Sequence, residues 1–301
     1  MSSVLDLSVV IAFHNHAKMT IDCVSSLQKY GPNVREILLI SNNSSPDELR
    51  IVEEYSKSQP NIRVLTWDYP FNYQKEYNWG ISQTSGEFIL MLNNDIELTE
   101  GSIGLIESMY KKASKKKVGI VGCTLLYGNE RDIQHAGIFL MPEGMADHMY
   151  VRERYQTALK QVGSEKFPYD ITKDMPMTAV TGAAQLVRKS SFEKIGGFDE
   201  RYAPAYCEDS DLAFEVRKRG LRVVYQPLSV VTHFEGVSNG TDVNGTGLKR
   251  YQVENNKKLQ EKWSEEFKNQ YDNVGVPNAF RARERSRGKK VILFVDHYVP
   301  T

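Results

Sequence analysis

The stretch LSVVIAFHNHAKMTIDCVSSLQKYGPNVREILLISNNSSPD, residues 7–47, decides the fold. Leu7–Phe13 is an unbroken apolar run, as expected of a strand covered on both faces. A helical period follows, with Met19, Cys23, Val24 and Leu27 on one face, and Gly31-Pro32 stops it. Ile37–Ile40 then repeats the buried-strand signal. Two such strands joined through a helix pair in parallel by a crossover. Working outward, Pro46–Lys57 reads as a helix with Pro46 in its first turn. Ile62–Thr66 reads as a third strand, Tyr73–Thr84 as a helix and Phe88–Leu92 as a fourth strand. The order βαβαβαβ predicts an α/β fold with a Rossmann-like, mostly parallel central sheet and helices on both faces.

Beyond that the signal is less regular. Val118–Leu126, Ile133–Leu140 and Ala184–Arg188 read as strands, and Met141–Met175 as a mobile loop holding a short helix. Asp209–Arg219 reads as a helix ended by Gly220, followed by two strands, Leu221–Tyr225 and Ser229–His233. Leu248–Tyr271 predicts one polar helix anchored by Tyr251, Leu259, Trp263 and Phe267. Phe280–Lys290 is a basic linker, and Val291–Val295 is a fresh strand-like run. The expected division is a main α/β domain over 1–247, a helical extension over 248–279, and over 280–301 a linker with the first strand of a truncated further domain.

Composition excludes several classes. Lysine plus arginine, 38, equals aspartate plus glutamate, 38, and a neutral chain lacks the cationic face that nucleic-acid binding requires. No nucleic-acid partner is therefore expected. Cys23, Cys123 and Cys207 lie far apart without metal-ligand spacing, which suits reduced thiols in a cytoplasmic protein. The first apolar run follows no cationic region and is broken by Asp6, so it is not read as a signal peptide. No apolar run reaches the roughly 18 residues of a membrane span. Membrane contact, where it occurs, would be peripheral, on the inner face of the plasma membrane. The basic run Lys111–Lys117 reads as a solvated helix face, with anionic lipid as its weaker alternative.

Ligands of open parallel sheets bind at the carboxyl ends of the strands. Strand one ends in Phe13-His14-Asn15-His16, strand two in Ser41-Asn42-Asn43-Ser44-Ser45 and strand four in Asn93-Asn94-Asp95. Such small polar groups suit ribose, base edges and phosphate. A carboxylate at Asp95 suits a divalent cation that bridges two phosphates, with an Asx-rich turn as the plain alternative. Cys207-Glu208-Asp209-Ser210-Asp211 sets three carboxylates where a helix starts. Capping and dipole compensation account for Asp211 and leave Asp209 for general-base work on a hydroxyl. His233 closes an apolar run, and its weight as a metal ligand depends on whether its strand end lies beside that of Asp95.

These clusters, in this order, resemble the family 2 glycosyltransferases with the GT-A fold, in particular the bacterial O-antigen and rhamnan-type surface-polysaccharide enzymes, often fused to a second glycosyltransferase domain. The segments that carry the resemblance run from residue 7 to about 271. They include FNYQKEYNWGISQTSGEFILMLNND (71–95), AVTGAAQLVRKSSFEKIGGFDERY (179–202), EDSDLAFEVRKRG (208–220) and HFEGVSNG (233–240). The resemblance implies Asp95 as the last acid of a DXD motif whose first positions are Asn93 and Asn94, and His233 as the second metal ligand. It implies Asp209 as catalytic base, Glu208 at the acceptor's border, and Thr181-Gly182 with Ala183 as the acceptor's floor. Asn72, Lys75 and Asn78 fall in the donor-side motif, joining Phe13, Asn15, Ser41 and Asn43 from the strand ends. His135 is a candidate acceptor contact, with a structural role equally open for it and for His148.

The implied reaction is metal-dependent, inverting transfer, with Mg²⁺ or Mn²⁺, from a dTDP-, UDP- or GDP-linked sugar to a glycan or lipid-linked glycan. Rhamnose or another deoxysugar is the implied sugar. Ser41 replaces an aspartate that in many relatives contacts the nucleobase, and Ala12 and His14 depart from a P-x-Y-N motif. Gln260-Glu261-Lys262-Trp263 lacks the arginine of the processive Q-x-x-R-W signature. Three other functions share part of this pattern. A nucleotidyltransferase needs a Gly-rich loop that FHNHAKM does not supply, and a dehydrogenase needs a GxGxxG that is absent. A non-catalytic nucleotide-sugar or glycan-binding domain supporting a fused transferase is the main alternative.

Overall fold

The computed structural model describes residues 3–140, 146–164, 166–167, 170–173, 175–234, 245, 247–269 and 290. In chain order the elements are β1 (Leu5–Phe13), α1 (Ala17–Tyr30), β2 (Val34–Asn42), α2 (Pro46–Lys57), β3 (Ile62–Trp67), α3 (Tyr73–Ser82), β4 (Phe88–Asn93), β5 (Ile96–Glu97) and α4 (Leu105–Ala113). There follow β6 (Val118–Tyr127), β7 (Ile133–His135), β8 (Ile138–Leu140), β9 (Ala146–His148), α5 (Tyr155–Lys160), β10 (Met175–Pro176), β11 (Ala184–Arg188) and α6 (Lys189–Ile195). The last are α7 (Glu208–Lys218), β12 (Arg222–His233), α8 (Tyr251–Lys262) and α9 (Ser264–Asn269).

The main sheet runs β10-β12-β6-β11-β4-β1-β2-β3. Strands β3, β2, β1 and β4 are parallel, with Ala12 flanked by Ile40 and Asn93. β11 enters antiparallel between β4 and β6, and β12 lies parallel on the far side of β6. The residue alternation of the buried strands divides the core into two layers. Val10, Leu38, Ile40, Ile89 and Met91 face α3, α6 and α7, through Tyr77, Ile81, Phe192 and Leu212. Val9, Ile11, Ile37, Leu39, Leu90 and Leu92 face α1, α2 and α4. Gly80 lets α3 close on β2, since a Cβ there would lie 2.2 Å from Ile40 Cδ1. Polar residues start the helices: Ser45 Oγ accepts from Glu48 N, and Asn72 Oδ1 from Lys75 N.

The structure differs from the sequence reading at several points. Ile133–Leu140 divides into β7 and β8, because Gly137 takes a left-handed φ of 109° between them. The expected loop over 141–175 does hold a short helix, α5, but also β9, which pairs with β8. Leu221–Tyr225 and Ser229–His233 are one strand, β12, whose register against β6 shifts between Gln226 and Val230. The single polar helix divides at Trp263 into α8 and α9. The expected strand Val291–Val295 lies outside the described residues.

The helical extension shares a core with the main domain: Leu259 and Trp263 pack with Tyr202 and Phe214, and Phe267 lies against them. A polar network seals the joint. Lys262 Nζ lies 2.9 Å from Asp199, 2.8 Å from Asp211 and 3.3 Å from Glu215. Trp263 Nε1 and Tyr202 Oη also donate to Asp211 Oδ1, at 2.6 and 2.9 Å. Asp211 thus anchors the extension from the first turn of α7, where its charge also suits the helix dipole, but it caps no backbone N–H there. Removing the cation leaves the buried Asp211 without a counter-charge, while Asp199 and Glu215 keep Arg201 and Arg219, so Lys262→Met is expected to cost roughly 3 kcal/mol of unfolding free energy, measured by urea denaturation at pH 7. A cost below about 0.5 kcal/mol would place the network among solvated surface pairs.

Candidate active site

The two candidate metal ligands come from strands far apart in sequence. β5 pairs antiparallel with the end of β12, His233 against Ile96, and Phe234 N donates to Asp95 O at 3.0 Å. This sets His233 Nε2 3.0 Å from Asp95 Oδ1. His233 Nδ1 lies 2.5 Å from Gln134 Oε1, which can only accept, so Nδ1 carries the proton. Nε2 then offers its lone pair, toward which Asn93 Nδ2 points at 3.2 Å. Asp95 Oδ1 is buried and receives no hydrogen bond. The two atoms thus stand side by side at the strand end. Neighbouring ligands of an octahedral cation at about 2.1 Å stand roughly 3 Å apart, so this pair fits one such ion. Among the described residues no group of three His, Cys, Asp or Glu side chains could hold a metal. Diphosphate oxygens and water would have to complete the sphere, as is usual for Mg²⁺. Gln134 is a supporting residue that the sequence reading missed; it fixes the tautomer from behind.

The candidate base stands one strand away. Asn93 N donates to Ala183 O at 2.9 Å, and Gly182 N donates to Asp209 Oδ2 at 3.0 Å. Asp209 Oδ1 accepts from Ser210 N at 2.6 Å. Two of about four lone-pair sites are used, and the rest are free for a substrate proton. A Cβ on Gly182 would meet Tyr73 Oη at 3.4 Å and Asp209 Cβ at 3.6 Å, ordinary contact distances that place both groups over this floor. Tyr73 is the second residue that sequence reasoning missed. Its hydroxyl is buried without a partner, and burial, then Tyr77, Glu208 and Asp209, hold its phenol well above the usual range. It is therefore a protonated donor beside the base. The one available signal was its place at the first position of α3, after the cap Asn72.

Several predicted contacts turn inward instead. Glu208 is buried and receives Gln74 Nε2 at 3.1 Å; burial, then the charge of Asp209, raises its carboxyl above the ordinary range. It underpins the helix start rather than bordering an acceptor. His135 is fully buried, and its Nε2 accepts from Thr181 N at 3.4 Å. Burial, then His148 and His233, push its imidazole well down, so it props the floor as a neutral ring and meets no acceptor. His148 packs edge-on against it, at 4.8 Å between ring centres. Asn78 spends both polar atoms on the backbone of Phe198 and is a clasp, not a donor contact. Asn72 caps α3, Lys75 lies 3.4 Å from Glu200, and Asn94 Nδ2 points to Thr20 of α1.

Of the first-strand and second-strand residues, Phe13 is buried in the core and Ser41 is buried with an unpartnered hydroxyl. Asn15 Oδ1 accepts from Ser45 N, and Asn43 Nδ2 donates to Tyr69 O, both at 2.8 Å. The two loops are thus clasped to their neighbours. Lys111–Lys117 runs from the end of α4 to the amino end of β6, whereas His233 closes the parallel β12 at its carboxyl end.

A sheet of this order, with a carboxylate–histidine pair at one strand end and a helix-borne aspartate across from it, defines a glycosyltransferase domain of the GT-A class. The fold is similar to that of GalNAc-T7, solved with UDP, GalNAc and Mn²⁺, with a TM-score of 0.67 and 17% identity over 88% of this chain and 50% of that one. The chain belongs to glycosyl transferase family 2, which it matches over residues 8–196. It is 34% identical over 241 residues to the O-antigen biosynthesis protein RfbC of Myxococcus xanthus, covering 78% of this chain and 18% of that protein. It is 28% identical to the N-acetylglucosaminyl-diphospho-decaprenol L-rhamnosyltransferase of Mycobacterium tuberculosis, over 68% of each chain. The chain thus spans less than a fifth of the Myxococcus protein's length. No helix among the described residues is long and apolar enough to cross a membrane.

Helix α3 carries one further buried acid. Glu76 is 1% exposed, its Oε1 has no partner, and burial pushes its carboxyl up to about 8 from an ordinary 4.5. The folded state then holds a proton that the unfolded chain releases, so stability falls as pH rises from about 4.5 through about 8. Glu76→Gln removes that fall. We expect its urea-denaturation stability to exceed that of the parent by about 2 kcal/mol or more at pH 8, with little gain at pH 4.5. Equal pH dependence in both proteins would mean that Glu76 is ionised and solvated.

Proposed function

We propose that this domain transfers a sugar from a nucleoside diphosphate carrier to a hydroxyl of a bacterial surface polysaccharide, with inversion at the anomeric carbon. The observation that carries the reading is the link from Asn93 through Ala183 and Gly182 to Asp209, which holds a base one strand from the Asp95–His233 pair. A single in-line displacement needs its base and its leaving group on opposite sides of the reacting carbon. Asp209 takes the proton from the acceptor hydroxyl, and the protonated Tyr73 hydroxyl donates to that same oxygen and orients it. Asp95 and His233 would hold Mg²⁺ or Mn²⁺, whose positive charge would offset the charge developing on a departing diphosphate. Gln134 holds His233 from behind through Nδ1. The Mycobacterium relative's rhamnosyl donor and the Myxococcus relative's role in O-antigen synthesis support a deoxysugar and a surface-polysaccharide acceptor. The lysines of 111–117, at the amino end of β6, lend no support to lipid docking beside the site.

Thermal stability measured with UDP-, dTDP- and GDP-sugars, with and without Mn²⁺, tests the donor half. A ligand at about 100 times its dissociation constant adds about 2.7 kcal/mol, a clear rise in melting temperature. We expect one carrier to give a Mn²⁺-dependent rise that Asp95→Asn and His233→Ala abolish. Asp209→Asn should keep that rise and lose about 10²–10⁴-fold in turnover. No rise with any carrier favours a non-catalytic domain, and loss of the rise in Asp209→Asn makes Asp209 structural.

A further inference from the structure

The loop 202–207 leads directly into the catalytic end of α7, and its backbone is unusual. Tyr206 and Cys207, neither of them glycine, take left-handed φ angles of 79° and 73°. Cys207 is also the N-cap of α7 and makes no side-chain capping bond. Such conformations persist only where surrounding groups impose them. On one side the loop is held by α3: Tyr73 N donates to Pro204 O at 2.9 Å, and Gln74 Nε2 to Tyr202 O at 3.3 Å. On the other side stands Asn255 of α8, which is fully buried. Its Nδ2 donates to Tyr202 O at 2.6 Å and Ala205 O at 2.7 Å, and lies 3.3 Å from Tyr206 O. Beside it, Cys207 Sγ donates to Asn256 Oδ1 at 3.2 Å.

We infer that Asn255 is a positioning residue for the general base, and that the helical extension is therefore part of the catalytic apparatus rather than an appendage. The inference rests on the glycosyl-transfer reading of Asp209. Both Asp209 and Asn255 lie beyond the residues matched to the family, 8–196. The chain of cause is short. Asn255 holds the carbonyls of the loop, the loop keeps Tyr206 and Cys207 left-handed, and that geometry starts α7 where Asp209 meets Gly182 N. The same loop also binds Tyr73 N, so one asparagine sets base and orienting hydroxyl together. Asp95 lies in the turn just before β5 and His233 ends β12, and none of their hydrogen bonds described above runs through this loop. Losing Asn255 should therefore spoil turnover and spare nucleotide binding. A misplacement of about 1 Å at a reacting group costs on the order of 10²-fold in rate.

The test uses the full chain and the sugar nucleotide that gives the Mn²⁺-dependent thermal rise, with water as acceptor, and reads release of the nucleoside diphosphate. In Asn255→Ala we expect kcat to fall by at least about tenfold, with donor KM and the thermal rise kept within about twofold. Adding Cys207→Gly should recover most of the lost kcat, because glycine adopts the left-handed angle unaided. Asn255→Ser, which keeps a small donor, provides the same comparison should Asn255→Ala not fold. An unchanged kcat in the alanine variant overturns the inference. So does a loss that glycine does not repair, or one accompanied by loss of the nucleotide response. A parent chain that releases no nucleotide overturns the glycosyl-transfer reading itself, and this inference with it; that failure shows in the parent, the others only in the variants.

Discussion

The site depends on a two-residue ladder. β5 contributes only Ile96 and Glu97, yet their pairing with Thr232 and His233 brings a carboxylate and an imidazole to 3.0 Å. β4, which precedes Asp95, and β12, which ends in His233, are separated in the sheet by β11 and β6. A turn after β4 has to cross both to reach its partner. Each backbone hydrogen bond contributes only about 1 kcal/mol net, so this short ladder cannot hold by itself. It is backed by the long β6–β12 pairing, which carries on through Thr232 and His233, and by Ser102 Oγ, which donates to Val230 O. The geometry of the candidate metal pair is thus a property of the whole second half of the sheet.

The acidic cluster at the start of α7 shows how one sequence motif is divided by its surroundings. Glu208 is buried against Gln74 and raised in pKa. Asp211 is gripped by Lys262, Trp263 and Tyr202 and fastens the helical extension. Only Asp209 keeps unused lone pairs at the sheet edge. Three neighbouring carboxylates therefore underpin a turn, hold a helix and meet the floor at Gly182, and their helical spacing sends each toward a different element. The loop before them is fastened on both sides, which fits the demand that a base stand within hydrogen-bond reach of its proton.

Much of this was legible in the chain. The runs Leu7–Phe13, Ile37–Ile40 and Phe88–Leu92 determined the parallel half of the sheet, because only strands covered on both faces read as continuous apolar segments. Gly31-Pro32 and Pro46 marked helix ends through local backbone chemistry. The tertiary structure alone decided what depends on distant partners. It merged two predicted strands into β12, divided the polar helix at Trp263, buried His135 and Glu208, and tied Asn78 to the backbone of Phe198. It also supplied Tyr73, Gln134 and Asn255, whose roles consist in orphaned or paired atoms facing other elements. Periodicity and capping act over a few residues, so the sequence displays them. The side on which a polar atom finds its partner is fixed only when β11, β12 and α8 have packed.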